Sequence, residues 1–234
     1  MLSEVTESGH GLVPSTMGVR KRNGSREPVD LNKIVRAVSR CCGGLADVDA
    51  LRVATKTISG LYDGATTREL DQLSIQTAAG LIAEEPEYAK LAARLLATYV
   101  EKEVESQEIH AFSQAIQSGH RLGLIGDRLA RFVVENARKL NDAVQPLCDR
   151  ELEYFGLRTL YDRYLLKHPE TRLVLETPQY FFLRIACALA ESVAEALELY
   201  RLFSSLEYLP SSPTLFNAGT RREQLSSCFL LDSP

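Results

Sequence analysis

The stretch Val19-Arg-Lys-Arg-Asn-Gly-Ser-Arg-Glu-Pro-Val29 decides the fold of the first part of this chain. Its Asn-Gly pair lies between two short runs and predicts a β-hairpin with a type I′ turn, in which both central residues have positive φ. Pro28 has no N–H to donate to a ladder, so the second strand is expected at an edge. Asp30 follows as the cap of a helix whose apolar residues recur at helical spacing. The sequence therefore predicts a small hairpin that leads directly into a helix.

Further helix signals follow this hairpin. Thr66 and Glu69 have the spacing of a capping box, and Pro86 suits the first turn of another helix. A hairpin and four helices would make a compact α+β unit of residues 18–106. Residues 107–208 are predicted to be mainly helical, with a second hairpin around His168.

The C-terminal stretch, residues 209–234, has a different character. A polar segment rich in hydroxyls and turn residues leads into the apolar run that follows Cys228. We predict a loop and then a short strand, with this cysteine at their junction.

Composition limits the classes of function. The chain has 27 Lys and Arg against 31 Asp and Glu, a net charge of −4, which gives no general attraction to nucleic acid or membrane. Its five cysteines form no CxxC pair, which argues against a zinc ribbon or a secreted disulfide framework and favours a cytoplasmic protein. Residues 1–17 contain no secretory signal and are expected to form a flexible extension. No apolar run is long enough to span a bilayer.

Basic residues concentrate in the first hairpin, at Arg20, Lys21, Arg22 and Arg26, and Lys33 lies in the first turn of the next helix. Cations beside the free N–H groups of a helix N-terminus favour phosphate. Charge pattern alone is also typical of a solvated hairpin.

The C-terminal segment carries hydroxyl groups on both sides of the turn at Asn217. Such groups suit phosphate or ribose oxygens, although turns commonly have this composition. Cys228 follows two serines and lies outside any helical core face, so a redox role and simple packing both stay open.

Two sets of residues resemble one family. The first set, Val19-x-Lys-Arg-Asn-Gly-x-x-Glu27, Leu31-x-Lys-Ile34, Tyr62-Asp-Gly64, Thr66-Thr67 and Leu91-Ala-Ala-Arg-Leu95, closely resembles the ATP-cone of ribonucleotide reductase large subunits. The second set, Ser212-Pro-Thr-Leu-Phe-Asn-Ala-Gly-Thr220 and Gln224-Leu-Ser-Ser-Cys228, resembles the start of the catalytic barrel in the same subunits. The resemblance covers residues 18–234.

The resemblance implies a mainly α fold of α+β type. It places an ATP-cone of one small hairpin and four helices at residues 18–106. A helical N-terminal domain of the reductase follows at residues 107–208. Residues 209–234 would begin the ten-stranded α/β barrel with its first strand, and the barrel would be truncated there.

The resemblance also implies an allosteric site, at which ATP activates and dATP inhibits. The positions that it assigns to this site are Val19, Lys21, Arg22, Glu27, Lys33, Thr67 and Lys102. Among them, Lys21 and Lys102 match positions whose ammonium groups meet the triphosphate, Glu27 and Lys33 match the segment around the sugar and base, and Thr67 matches a position near the adenine. The other two line the pocket. Magnesium is expected with the nucleotide, and no metal or cofactor is expected to be held by this part of the protein.

One position departs from the family pattern. Asp71 stands where well-known members place a histidine. A carboxylate there would repel phosphate, so we expect Asp71 to face the base or the ribose.

The catalytic expectations come from the resemblance alone. Cys228 matches a redox-active cysteine that, with a partner on a later strand, reduces the substrate and becomes a disulfide. Ser212 and Ser227 match positions that contact substrate, chiefly its phosphates. The full enzyme would be a ribonucleoside-diphosphate reductase that makes deoxyribonucleotides for DNA replication by thiyl-radical chemistry, and this part alone would be inactive.

The implied partners are a radical-generating small subunit, further copies of the large subunit, and thioredoxin or glutaredoxin. Three alternatives stay open. Adenosylcobalamin could be the radical source, since the Pro-Thr-Leu-Phe-Asn-Ala-Gly phrase also occurs in that class. An ATP-cone transcriptional regulator would need a zinc ribbon, which this sequence lacks. A helical interaction module without a ligand would require both motif matches to be chance.

Overall fold

The structure, a computed structural model, describes residues 17–146, 152–228 and 230. The expected N-terminal extension and Cys148 lie outside the described residues, apart from residue 17. The described chain is mainly helical with one small antiparallel sheet, as the sequence predicts.

The hairpin consists of β1, Gly18–Arg20, and β2, Arg26–Pro28, with Val19 opposite Glu27. The predicted type I′ turn is wrong, because only Gly24 has positive φ, at 84°. The Gly24 N–H donates to the Lys21 carbonyl, and the Asn23 side chain accepts the Ser25 N–H. Because this side-chain bond stabilises a right-handed turn, glycine alone takes the left-handed position after it.

Four helices complete the first unit, as predicted. They are α1, Leu31–Cys41; α2, Ala50–Ser59; α3, Thr67–Gly80; and α4, Tyr88–Glu105. The Asp30 carboxylate caps α1 by accepting the Asn32 N–H. Thr66 and Glu69 form both bonds of the predicted capping box at α3.

The second unit is also helical. Its helices are α5, Phe112–Arg121; α6, Asp127–Glu135; α7, Ala137–Asp142; α8, Tyr154–Thr159; α9, Pro178–Leu189; α10, Val193–Ser204; and α11, Ser212–Asn217. A π-helical turn, Leu160–Tyr164, extends α8. The hairpin expected around His168 exists as a turn with one isolated bridge, Lys167 to Val174.

One continuous apolar core joins the two units. Helix α4 packs against α3 on one side and against α8 on the other. A buried ion pair fastens the second unit internally: Arg184, fully buried, donates to both oxygens of Glu176 at 2.9 and 3.0 Å. Arg184 also donates to the Ala218 carbonyl at 2.7 Å, so α9 holds the end of α11 in place.

The C-terminal stretch differs from the sequence prediction. Residues predicted as a loop begin with α11, because Pro213 lies in its first turn, where a proline ring is compatible with a helix. Cys228 and Leu230 belong to no strand, and Phe229 and residues 231–234 lie outside the described residues. A strand needs a paired neighbour for its backbone groups, and no described segment pairs with Cys228. The apolar run predicted as the first barrel strand falls mostly on residues 229 and 231–234, outside the described residues, so this strand stays a prediction.

None of the helices in the described part of the chain combines the length and the apolar character that crossing a bilayer requires.

Candidate functional site

A cleft of about 340 Å³ lies between the first hairpin and the N-terminus of α3. Its lining residues come from the hairpin turn and the first turn of α3: Arg20, Lys21, Arg22, Gly24, Thr66, Thr67 and Arg68. The unpaired N–H groups at a helix N-terminus carry partial positive charge, so this end of α3 adds to the field of the hairpin cations. The cleft is suited to an anion.

Local hydrogen bonds explain why the hairpin meets α3. The Arg20 N–H donates to the Ala65 carbonyl at 2.9 Å, and the Gly18 N–H donates to the Asp63 carboxylate at 2.8 Å. The Arg26 guanidinium pairs with the same carboxylate at 2.6 Å. These bonds lower the pKa of Asp63, with the Gly18 N–H as the first cause. The hairpin is therefore fixed to the turn that precedes α3.

Asp71, one turn into α3, connects cations that are far apart in sequence. Its carboxylate accepts from Arg22 at 3.0 Å and from the Lys102 ammonium of α4 at 2.9 Å. This contact places Lys102 beside the hairpin, as the resemblance requires of a shared site. The expected position of Asp71 toward a base or ribose stays a prediction; in the structure its carboxylate contacts these two cations.

Arg22 is a largely enclosed cation of the pocket. Its side chain is 17% exposed, and its guanidinium lies 5.5 Å from the centre of the Tyr99 ring. The Arg22 Nε atom is buried and has no hydrogen-bond partner among the described residues. The predicted site residues did not include Tyr99; its role as the platform under Arg22 depends on how α4 packs.

Glu27 holds a second pair of cations at the edge of the pocket. Its carboxylate contacts the Lys21 ammonium at 2.6 Å and the Lys33 ammonium at 3.3 Å. The hydrogen bond from Lys21, followed by the contacts of Lys33, lowers the pKa of Glu27. Val19, opposite Glu27 in the sheet, is buried and has an apolar side chain.

The predicted positions therefore converge in one region. Lys21, Arg22 and Thr67 line the cleft directly, while Glu27 brings in Lys33 and Asp71 brings in Lys102. Sequence analysis did not single out Arg68, which lies next to Thr67 in the lining.

The predicted substrate and redox positions lie elsewhere, in the second unit. Ser212 begins α11, and its hydroxyl is 3.2 Å from the Tyr164 hydroxyl. Ser227 and Cys228 are exposed, with the Ser227 hydroxyl 3.8 Å from the Cys228 sulfur. Hydrogen bonds from Asn217 to the Gln224 carbonyl and from Thr214 to the Leu225 carbonyl hold this loop against α11.

The other described cysteines are unsuited to thiolate chemistry. Burial raises the pKa of Cys41, that of Cys42 to about 11 and that of Cys187 to about 12. Within the described ranges, no group of three or more His, Cys, Asp or Glu side chains is arranged to hold a metal ion.

Two family models match this chain. The ATP cone domain matches residues 17–112, and the all-alpha domain of ribonucleotide reductase matches residues 150–223.

Relatives that match nearly the whole of this chain are also large subunits of ribonucleotide reductase. The ribonucleoside-diphosphate reductase large chain of Schizosaccharomyces pombe is 39% identical over 229 residues, which is 92% of this chain and 27% of the relative. The large subunits of Caenorhabditis elegans and Danio rerio are each 38% identical and cover 91% and 92% of this chain. The chain spans little more than a quarter of the length of these relatives, 28% for the last two.

Proposed function

We propose that this chain, which belongs to the ribonucleotide reductase large-subunit family, senses adenine nucleotides in the hairpin pocket and thereby controls the activity of the reductase. In this proposal ATP activates and dATP inhibits. The observation that carries it is the meeting of Arg22 and Lys102 on the Asp71 carboxylate, because it joins cations from both ends of the first unit in one pocket.

Nucleotide binding is proposed to work by exchange of ion partners. The pocket cations are partly neutralised by Asp71 and Glu27, each of which holds two of them close together. A triphosphate offers more charge and more acceptor oxygens than a carboxylate, so it can replace Asp71 as the partner of Arg22 and Lys102. The unpaired Arg22 Nε offers one further donor.

We propose that magnesium enters with the nucleotide. Mg²⁺ is usually bound through substrate phosphates, waters and one or two carboxylates, and Glu27 supplies a carboxylate at the edge of the pocket.

The wider function proposed is that of the whole enzyme. A full-length protein of this family would reduce ribonucleoside diphosphates, with Cys228 as one of its redox cysteines and Ser212 and Ser227 at the substrate. The exposure of Cys228 and its neighbouring hydroxyl support such a role. A radical-generating small subunit, further large subunits, and thioredoxin or glutaredoxin are the proposed partners, in the cytoplasm.

Titration calorimetry with ATP and dATP tests the sensing function. We expect both nucleotides to bind the chain, and Lys21→Ala or Lys102→Ala to weaken binding by about tenfold or more, since a charge-assisted hydrogen bond contributes about 1.5–3 kcal/mol. Lys56→Ala and Lys90→Ala remove the same charge from exposed positions of α2 and α4 and serve as matched controls.

Two results would contradict the proposal. One is the absence of binding heat at millimolar nucleotide. The other is an equal loss of affinity in the pocket variants and the control variants, which would mean that net charge, not the pocket, governs binding.

The transcriptional-regulator alternative has weaker support than the reductase. The match of residues 150–223 to a reductase domain has no counterpart in that alternative. The choice between a small subunit and adenosylcobalamin as the radical source stays a prediction in favour of the small subunit.

A further inference from the structure

A second cleft, of about 450 Å³, lies in the helical unit, outside the hairpin pocket. Three segments form it: the π-helical turn with the residues after it, the turn that contains Arg172, and α11. Its lining residues include Arg163, Tyr164, Lys167, Arg172 and Phe216.

The cleft has a strong excess of positive charge. Arg163, Lys167 and Arg172 line it, and among the residues described neither arginine pairs with a carboxylate. Asp162 is the acidic residue in the lining, and its carboxylate is already engaged by Arg158 at 2.8 Å. The Lys167 ammonium donates to the Asp162 backbone carbonyl, which does not neutralise it. Burial lowers the pKa of Lys167; the charge of Asp162 opposes this effect, and the charge of Arg172 adds to it. An anion placed among these cations would relieve their mutual repulsion.

One wall of the cleft is an aromatic stack. The rings of Tyr164 and Phe216 are parallel within 15°, with centres 4.3 Å apart. Phe216 is 39% exposed, although aromatic side chains tend to be buried. A ring whose inner face is already stacked can offer its outer face to a planar ligand group.

The backbone around the cleft is unusual at two places. The segment Leu160–Tyr164 is π-helical, a conformation that is rare and frequently occurs at functional sites. Arg172 has φ of 61°, in the left-handed region that non-glycine residues seldom occupy. Hydrogen bonds between His168 and its neighbours across the turn, to Arg172 and Leu173, hold this conformation. Such backbone strain often marks a ligand site.

We propose that this cleft is a second anion site, which binds a nucleoside phosphate with its phosphates on Arg163, Lys167 and Arg172 and its base against Phe216. Arginine forks suit phosphate oxygens, and the size of the cleft is in the range of small-molecule sites. The Tyr164 hydroxyl touches Ser212, so the cleft adjoins the serine that begins α11. The site is independent of the hairpin pocket and of the function proposed for it.

The experiment uses a fluorescent reporter inside the cleft. The chain contains no tryptophan, so Phe216→Trp adds a single indole fluorophore at the proposed base position. Titration with ADP should change its fluorescence to saturation, and pyrophosphate should bind more weakly than ADP, because it lacks a base. Phosphorus NMR line broadening of ADP and pyrophosphate by the chain with Lys21→Ala and Lys102→Ala, whose hairpin pocket is weakened, provides a second measurement that leaves the cleft unmodified.

Three further variants locate the site. Adding Arg163→Gln and Arg172→Gln to the Phe216→Trp reporter should weaken its binding of ADP by about tenfold or more, the loss expected for charge-assisted hydrogen bonds. Arg131→Gln with Arg138→Gln removes the same charge from exposed positions of α6 and α7 and should leave the titration unchanged. Lys21→Ala with Lys102→Ala should also leave it unchanged, which separates this site from the hairpin pocket.

Three outcomes would overturn the proposal. The first is an indole fluorescence of the Phe216→Trp reporter that does not respond to millimolar ADP, together with no line broadening by the chain with Lys21→Ala and Lys102→Ala. The second is an equal response in the cleft and control variants. The third is an equal affinity for pyrophosphate and ADP, which would exclude the contact between base and Phe216.

Discussion

The two cationic regions of this molecule differ in whether their cations have carboxylate partners. In the hairpin pocket, Asp71 and Glu27 each hold two cations. In the second cleft, Arg163 and Arg172 pair with no carboxylate of the described residues. An anion that enters the pocket must displace an internal partner, whereas an anion that enters the cleft faces no such competition.

This difference has a consequence for selectivity. A pocket whose cations already have carboxylate partners binds a weakly charged anion poorly, because the new contacts hardly exceed those that are lost. A triphosphate, with its higher charge, can make contacts that outweigh the ones lost. The second cleft has no carboxylate competitor to exclude weakly charged anions. Its selectivity among anions must therefore come from its shape and its aromatic wall.

The largest expected effect is on the free energy of unfolding. It comes from breaking the buried ion pair beside the second cleft, a change that leaves the hairpin pocket intact. Arg184→Met leaves the buried Glu176 carboxylate without its ion partner, and this carboxylate also accepts the Leu166 N–H beside the cleft. Loss of one partner of a buried ion pair costs about 3–5 kcal/mol of unfolding free energy. Urea denaturation measures it.

The matched control is Arg201→Met, which breaks the exposed pair with Glu207 and should cost less than about 1 kcal/mol. Similar losses in the two variants would show that the Arg184 pair contributes no more than a surface pair.

The next effect concerns the internal competitor in the pocket. Asp71→Asn keeps the shape of the side chain but removes its charge, so Arg22 and Lys102 become available to phosphate. We expect ATP to bind about tenfold more tightly, a change of about 1.4 kcal/mol that is modest beside the interaction of close charges near a protein surface. Calorimetry checks this, with Asp47→Asn as an exposed control in the same unit. Unchanged or weaker binding of ATP would refute competition by Asp71.

A smaller effect is expected where the pocket meets α3. Thr66→Ala removes the side chain that caps this helix and lines the cleft. Loss of such a cap costs about 1 kcal/mol. Thermal unfolding of the variant should show this loss, and an unchanged melting temperature would mean that the Glu69 half of the capping box suffices.

The smallest expected effect is on the pH dependence of stability, and it comes from Glu103, which lies between the hairpin pocket and the second cleft. This carboxylate is buried and accepts the Tyr161 hydroxyl, and burial raises its pKa in the folded chain. The folded state therefore holds this proton more strongly than the unfolded state does, so stability falls as pH rises from the ordinary glutamate pKa through the folded value. Glu103→Gln should flatten this part of the profile, as measured by urea denaturation between about pH 4 and pH 7. A profile with the same slope in both proteins would exclude Glu103 as its source.

Local sequence signals predicted much of the first unit. The caps at Asp30 and Thr66 and the hairpin with its edge strand at Pro28 depend on neighbouring residues, and the structure confirms them. The predicted type I′ turn at Gly24 was wrong. The Asn23 side chain accepts a hydrogen bond from the Ser25 N–H, and this bond competes with the preference of the Asn-Gly pair for a type I′ turn.

Contacts between distant residues could not be predicted from spacing. The bridge that Asp71 makes between Arg22 and Lys102 spans 49 and 31 residues of sequence and depends on how α3 and α4 pack. The charge excess of the second cleft was missed for a similar reason, since Arg163 and Arg172 lie in segments without a recognisable motif. The helix at Ser212 was missed because its proline and hydroxyl residues are also typical of loops.

Helix α4 has a practical consequence for protein engineering. It is an 18-residue rod, about 27 Å long, whose far end contributes Tyr99, Val100 and Val104 to the shared interior. Just beyond it, Gln107 donates to the Val174 carbonyl of the second unit. Residues 18–106 excised as a portable sensor would expose this apolar side to water, and self-association would follow. A soluble graft would need polar replacements along that side of the rod.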